Sequence, residues 1–339
     1  MAKWFDRYPG PDLVVSGAAQ TLRVLEDRLG IPAGQPLRRT AHGSGFDIAY
    51  LQMNSDLSLS ASWIQLMGLQ PLTDAESRSD TSRELRAMLL AYITAQRLDR
   101  PVLTHVQALS APTEDDIGAI IELLRSRGVP HVARLRNVYI GLVEENGRIR
   151  YDPAADAGMF LEFAPTVQTG FRNFLLPPQL AANPEVAVLA TGTLVRPVAR
   201  TQVVPSAEAV IERFRAILDW PDEEDMEWLD GDGQRSVVIQ PQNQLSAVWE
   251  IVEPTSPGSR ADEALARWGA GPWANRIGVF GLDAKLADLD RRGTRWTDIA
   301  PGPGGERRVA LSRHDLRGVT IELEDMTVVY RGEGASRVA

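Results

Sequence analysis

Thr104-His105-Val106-Gln107-Ala108-Leu109 opens the stretch that decides the fold, and Gly158-Met159-Phe160-Leu161-Glu162-Phe163 closes it. The opening hexapeptide has the alternation of a strand. Ile117, Ile120, Ile121, Leu123 and Leu124 then recur at helical spacing over about residues 114–127. Gly128 stands where a left-handed cap residue ends such a helix. His131 to Leu135 and Val138 to Glu144 read as two more strands, and Met159 to Phe163 as the last. The order is strand, helix, strand, strand, strand.

Working outward, the same order recurs. Residues 12–67 read as a first copy, with a helix at Ala18 to Leu29 and strands at Asp12 to Ser16, Leu37 to Thr40, Phe46 to Met53 and Leu57 to Leu66. A third runs from Arg200 to Val252 and a fourth from Asn275 to Glu324. Copies one and three end on Ser60-Ala61-Ser62-Trp63 and Ser246-Ala247-Val248-Trp249. Copies two and four share the helix exits Arg127-Gly128 and Arg292-Gly293. This pattern predicts an α+β fold of four βαβββ units, paired by duplication into two domains, 1–166 and 198–339. A helix of about 74–97 separates the first two units. Residues 167–197, with Pro177-Pro178 and Asn183-Pro184, read as the linker.

Composition narrows the chemistry. The 339 residues carry no cysteine, which excludes disulfides, thiolate metal sites and cysteine nucleophiles. A net charge of −9 argues against a nucleic-acid partner, which would call for a basic face. No apolar run is long enough to span a bilayer and the start has no signal-peptide layout, so no membrane partner and a cytoplasmic location are expected. Only Lys3 and Lys285 are lysines. The arginine bias fits a GC-rich bacterial genome.

On these residues the chain resembles the vicinal oxygen chelate superfamily, which includes glyoxalase I, extradiol dioxygenases and bleomycin-resistance proteins. Gly281-Leu282-Asp283-Ala284, Arg291-Arg292-Gly293 and Gly318-Val319-Thr320-Ile321-Glu322-Leu323 carry most of the likeness. The resemblance implies that each pair of units curls into an open cup. It also implies metal ligands on the first and last strands of a unit, here His105 and Glu162, with Gln65 or Asp12 as a third. Imidazole and carboxylate together suit Zn, Fe, Ni or Mn. The C-terminal half retains Glu250 and Glu322 but offers Arg200-Thr201-Gln202-Val203 and Ala274-Asn275-Arg276 in place of His, which speaks against a dioxygenase. Aligning the two Ser-Ala-x-Trp motifs sets Ile64, not Gln65, opposite Glu250, and a one-residue slip turns a strand side chain to the other face.

Simpler roles compete for several of these residues. His131 reads as structural, and His42 and His314 as surface residues. Asp222-Glu223-Glu224-Asp225 lacks the glycine and closing glutamate of a calcium loop. Pro301-Gly302-Pro303-Gly304-Gly305 precedes a strand and reads as a hairpin loop. Two functions follow from the resemblance. One is a metal-dependent enzyme in which His105 and Glu162 serve an epimerase, isomerase or lyase reaction on a small oxygenated substrate. The other is a metal-free protein that sequesters a small molecule. Self-association into a homodimer is left open.

Overall fold

A computed structural model of the chain describes residues 4–6, 12–31, 38–39, 44–53, 63–100, 103–104, 107–134, 136–165, 190–242 and 246–326. His42 and His105 lie outside them. The fold is α+β.

The first sheet holds β1 (Asp12–Val14), β2 (Arg38–Arg39), β3 (Phe46–Gln52) and β4 (Trp63–Leu69) in the order β1-β4-β3-β2. Helix α1 (Ala18–Leu29) connects β1 to β2. After α2 (Asp74–Arg78) and α3 (Asp80–Ala95), the second sheet repeats this layout. It holds β5 (Gln107–Ala111), β6 (His131–Arg134), β7 (Asn137–Ile140) and, after the separate hairpin β8 (Leu142–Glu145) and β9 (Arg148–Tyr151), β10 (Leu161–Pro165). Its order is β5-β10-β7-β6, with α4 (Glu114–Ser126) as the connection.

The C-terminal half begins with β11 (Thr193–Val203), α5 (Ala207–Leu218), β12 (Met226–Gly231), β13 (Gln234–Ile239) and β14 (Val248–Pro254). It continues through α6 (Arg260–Trp268), β15 (Gly271–Phe280), α7 (Leu282–Arg291), β16 (Trp296–Ile299), β17 (Arg308–Leu311) and β18 (Ile321–Asp325). Antiparallel pairing of β11 with β15 joins everything into one sheet, β12-β13-β14-β11-β15-β18-β17-β16. At the corresponding place in the N-terminal half, the Val14 N–H donates to the Leu103 carbonyl at 2.9 Å.

The amphipathic helices determine how the halves meet. Leu22, Leu25 and Leu29 of α1 share a core with Leu282, Leu286 and Leu289 of α7. Ile117, Ile120 and Leu124 of α4 share another with Val210, Phe214 and Ile217 of α5. Each such side chain contributes roughly 1.5–3 kcal/mol by leaving water. Arginines stitch the helix ends across this contact. Arg28 donates to the Arg292 carbonyl at 2.6 Å, Arg292 to the Asp27 carbonyl at 2.9 Å, and Arg127 to the Ala216 carbonyl at 2.8 Å. Each places a cation at the negative end of a helix. The sheet faces turned away from this contact are therefore where other groups can bind.

Several elements depart from the sequence pattern for identifiable reasons. Residues 193–197, read as the end of the linker, belong to β11, whose irregular register at Leu194/Arg196 and Pro197/Ala199 accommodates Pro197. The helix expected over 74–97 is broken at Ser79, which is extended and whose hydroxyl accepts from the Ser82 N–H to cap α3. The segment Val138 to Glu144 is two strands in different sheets, because Gly141 turns the chain at φ 80°. Phe160, at φ 58°, delays the last strand of the second sheet to Leu161. Helix α6 was not anticipated. Its signal was Ser259-Arg260-Ala261-Asp262, in which the Ser259 hydroxyl accepts from the Asp262 N–H.

Candidate functional site

In the N-terminal half, α3 lies on the outward face of both sheets. Met88, Ala91 and Tyr92 pack on Ala108, Val132 and Tyr139. Leu89 and Ile93 pack on Phe46, Ile48 and Met67. The Tyr92 hydroxyl lies within hydrogen-bond distance of the Ile140 and Leu161 carbonyls, at 2.7 and 3.2 Å. Three of the four residues nominated from sequence share this face. Asp12 pairs with Gln65, two residues before the Val14–Met67 pair whose side chains join the cluster under α3. Glu162 pairs with Tyr139 and accepts from Asn137 Nδ2 at 2.5 Å. Burial raises the pKa of Glu162. Burial likewise raises Asp12 to about 8, with Arg200 opposing and Glu162 adding to the rise. The first-strand residue in register with Glu162 is Ala108, three positions after His105. Among the described residues, no group of three His, Cys, Asp or Glu is placed to hold a metal ion.

The same positions in the C-terminal half carry different chemistry. Val15 N–H donates to the Met67 carbonyl and Val204 N–H to the Val252 carbonyl, marking equivalent ends of β1/β4 and β11/β14. Counting back, Gln65 matches Glu250 and Asp12 matches Thr201. The backbone thus corrects the motif alignment that set Ile64 opposite Glu250. Glu322 is the second residue of β18 as Glu162 is of β10, and its first-strand partner is Arg276, where Glu162 has Ala108.

Arg276 lies between the two glutamates. Its Nη2 donates to Glu250 Oε2 at 2.9 Å and to Glu322 Oε2 at 3.2 Å, and its Nη1 is 3.8 Å from Glu324. Thr201 Oγ1 also donates to Glu250 Oε2 (3.3 Å), and Arg260 Nη2 donates to Glu322 Oε1 (2.9 Å). Burial works to raise Glu322, but Arg276 and Arg260 outweigh it and hold the carboxyl below its usual pKa. Burial also works against the charge on Arg276, and the three carboxylates overcome it. Arg308 Nε donates to Glu324 Oε2 at 2.6 Å, so three arginines meet three carboxylates without an added cation. A metal between Glu250 and Glu322 would have to displace this guanidinium, so the donor set does not fit one.

A cavity of about 270 Å³ opens on these groups, lined by Thr201, Gln234, Glu250, Arg260, Trp273 and Glu322 among others. Helix α6 roofs one side, with Ala261 and Ala264 packed on Val203, Val252 and Trp273. Glu250 Oε1 takes no hydrogen bond from the described residues. Arg260 lies 5.3 Å from the Trp273 ring centroid and its side chain is 43% exposed. Sequence reasoning found Glu250 and Glu322 but treated Arg276 only as a missing histidine, and it did not find Arg260, Trp273 or Thr201. The charge of Arg276, inside the largely buried strand β15, was the available signal.

No family model matches the chain, and no curated protein does. Solved structures that match include methylmalonyl-CoA epimerase from Mycobacterium tuberculosis, 22% identical over 40% of this chain and 91% of that one, with a TM-score of 0.35. A Streptomyces coelicolor methylmalonyl-CoA epimerase, in complex with 2-nitronate-propionyl-CoA, is 24% identical over 39% and 98%, at 0.35. A hypothetical protein from Bacillus halodurans is 20% identical over 38% and 93%, at 0.34. At these scores the function has to be argued from this chain's own residues. No helix of the described residues is long and apolar enough to cross a membrane.

Proposed function

We propose that the chain comprises four βαβββ units in two cups and binds a small polar molecule, without a metal, in its C-terminal cup. One observation carries the reading: Arg276 and Arg260 neutralise Glu250 and Glu322 while a cavity beside them stays open. A hydroxyl or amine of the ligand would meet Glu250 Oε1, and a carboxylate or carbonyl would meet the half-exposed guanidinium of Arg260. Ligand sites combine a few such convergent polar groups with apolar walls, here Trp273 and Val252. Epimerase or lyase chemistry is less well served, because a base works best with a pKa near the working pH and Glu322 is held low. Ligand-observed NMR against small 2-hydroxy acids and amino acids tests the proposal. Binding that Glu250→Gln and Arg260→Gln each weaken, and that a chelator leaves unchanged, is expected. Binding of none of these compounds, or binding lost to the chelator, would overturn it.

The second reading keeps the metal-dependent enzyme and rests on Asp12, Gln65 and Glu162 sharing one face. His105, Glu162 and either Gln65 or Asp12 would hold a divalent ion, which would supply Lewis acidity to a substrate oxygen. Metal analysis of the purified protein before and after chelation tests it. A stoichiometric ion that His105→Ala and Glu162→Gln both release would favour this reading over the first.

A further inference from the structure

A second, larger cavity of about 640 Å³ adjoins the first and shares Arg260 and Trp273 with it. Arg267, Trp268 and Arg313 line its far side. Two guanidiniums lie against one indole: Arg267 is 5.2 Å and Arg313 4.5 Å from the Trp268 ring centroid. Among the described residues neither arginine has a salt-bridge partner, whereas most of the other arginines do. The carboxylate that feels Arg267, Asp99, is already held by Arg97 at 2.9 Å. The two guanidiniums also oppose each other, since burial and then Arg267 lower the pKa of Arg313. Like charges held together on a rigid ring, at the wall of a cavity, form a receptor for an anion.

We propose that this outer chamber binds a phosphate-type anion through Arg267 and Arg313. The ligand of the inner chamber is then an elongated molecule whose anionic tail passes the Arg260–Trp273 pair. The second half of this statement rests on the proposed function; the anion site itself does not. The loop from Gly269 to Gly271 holds the geometry, because Arg100 donates to the Gly269 carbonyl at 2.6 Å and to the Ala270 carbonyl. Glu263 also lines the chamber, the one carboxylate there among the described residues, so it works against the anion.

Calorimetric titration of the full chain with pyrophosphate tests the site. Arg267→Gln and Arg313→Gln should each weaken binding about tenfold, the effect of one charge-assisted contact. Arg313→Lys should retain part of it, and Glu263→Gln should tighten it. Glu250→Gln, in the inner chamber, should leave pyrophosphate binding unchanged, which separates failure here from failure of the proposed function. Circular dichroism confirms that each variant is folded. Pyrophosphate that fails to bind, or that binds equally to the folded Arg267→Gln/Arg313→Gln double variant, would overturn the proposal. So would binding lost in Glu250→Gln but kept in the arginine variants.

Discussion

The two halves present equivalent sheet faces and cover them differently. In the N-terminal half the connecting helix α3 is 16 residues long and lays Met88, Leu89, Tyr92 and Ile93 across both sheets. In the C-terminal half the helix at the same place, α6, is 9 residues long and buries Ala261 and Ala264 near the end of β14. The first arrangement leaves Glu162 in an apolar enclosure with Tyr139 and Asn137. The second leaves Glu250 and Glu322 beside a cavity, where a paired arginine stands in place of Ala108. The length of one helix separates a filled face from an open one. That difference, more than any motif, locates the candidate site.

The largest expected effect tests whether α3 is integral to its half. Tyr92 is fully buried, contacts Tyr151 and Phe160 edge to face, and bonds two strand carbonyls. Tyr92→Ala should cost about 3–5 kcal/mol, as large aromatic truncations in cores do. A urea titration would show this as a lower midpoint. A cost under about 1 kcal/mol would mean that α3 is an adjustable cover, like α6.

Arg276 tests the other half. Arg276→Met leaves Glu250 and Glu322 buried with their shared partner gone, and removing one side of a buried ion pair costs about 3–5 kcal/mol. The accompanying Glu250→Gln/Glu322→Gln changes should recover much of that loss, because they remove the unpaired charges. Full stability in Arg276→Met alone would show that water or ions neutralise the site, and the contrast with Ala108 would lose its meaning.

Much of this was legible in the sequence. Helical periodicity located α1 to the residue and α4 to within one residue of its ends, since their buried faces are long and regular. The closing motifs placed Glu162 and Glu322 at matched positions. What could not be read was register and enclosure. The tryptophans that close the Ser-Ala-x-Trp motifs, Trp63 and Trp249, sit one residue out of step in the ladder, so Gln65 appeared mismatched. Helix α6 was missed because it is short and its buried residues are alanines. Which face α3 would cover depends on tertiary packing, and no local pattern encodes it.

Acidity sharpens the comparison in the opposite direction for each half. In the N-terminal half burial raises Asp156 to about 7, although Tyr151 and the Leu161 and Met159 N–H groups donate to it and pull it down. Between its ordinary value of 3.8 and about 7 the folded chain keeps a proton that the unfolded chain has released. Asp156 therefore makes stability fall as pH rises across that window. Glu322, held below 4.5, contributes stability that is present above that value and lost as pH falls through its folded pKa. Urea midpoints across the acid range should lose the first slope in Asp156→Asn and the second in Glu322→Gln. Asp156→Asn should itself cost about 1–3 kcal/mol, because a buried acceptor of several donors is weakened. An unchanged midpoint profile in Asp156→Asn would place the titration elsewhere.

The smallest effect on stability should have a disproportionate effect on binding. Ser259 caps α6 by accepting from the Asp262 N–H at 3.2 Å, while Asp262 accepts from the Gly258 N–H at 2.8 Å. Ser259→Ala should cost about 1 kcal/mol of stability, the usual value for a lost cap. The first helical residue it frees is Arg260, which reaches Glu322 and lies over Trp273 between the two chambers. Fraying there loosens Arg260, the cation that both cavities share among the described residues, so the small-ligand affinity should drop several-fold while the urea midpoint falls only by what the lost cap costs. The matching cap of α3 offers the control. Ser79→Ala removes a similar bond, to the Ser82 N–H at 3.3 Å, from a helix end that meets neither chamber. It should cost about the same stability and leave ligand binding as it was. Equal loss of binding in both variants would mean that the chambers report global stability, and that α6 does not hold the site.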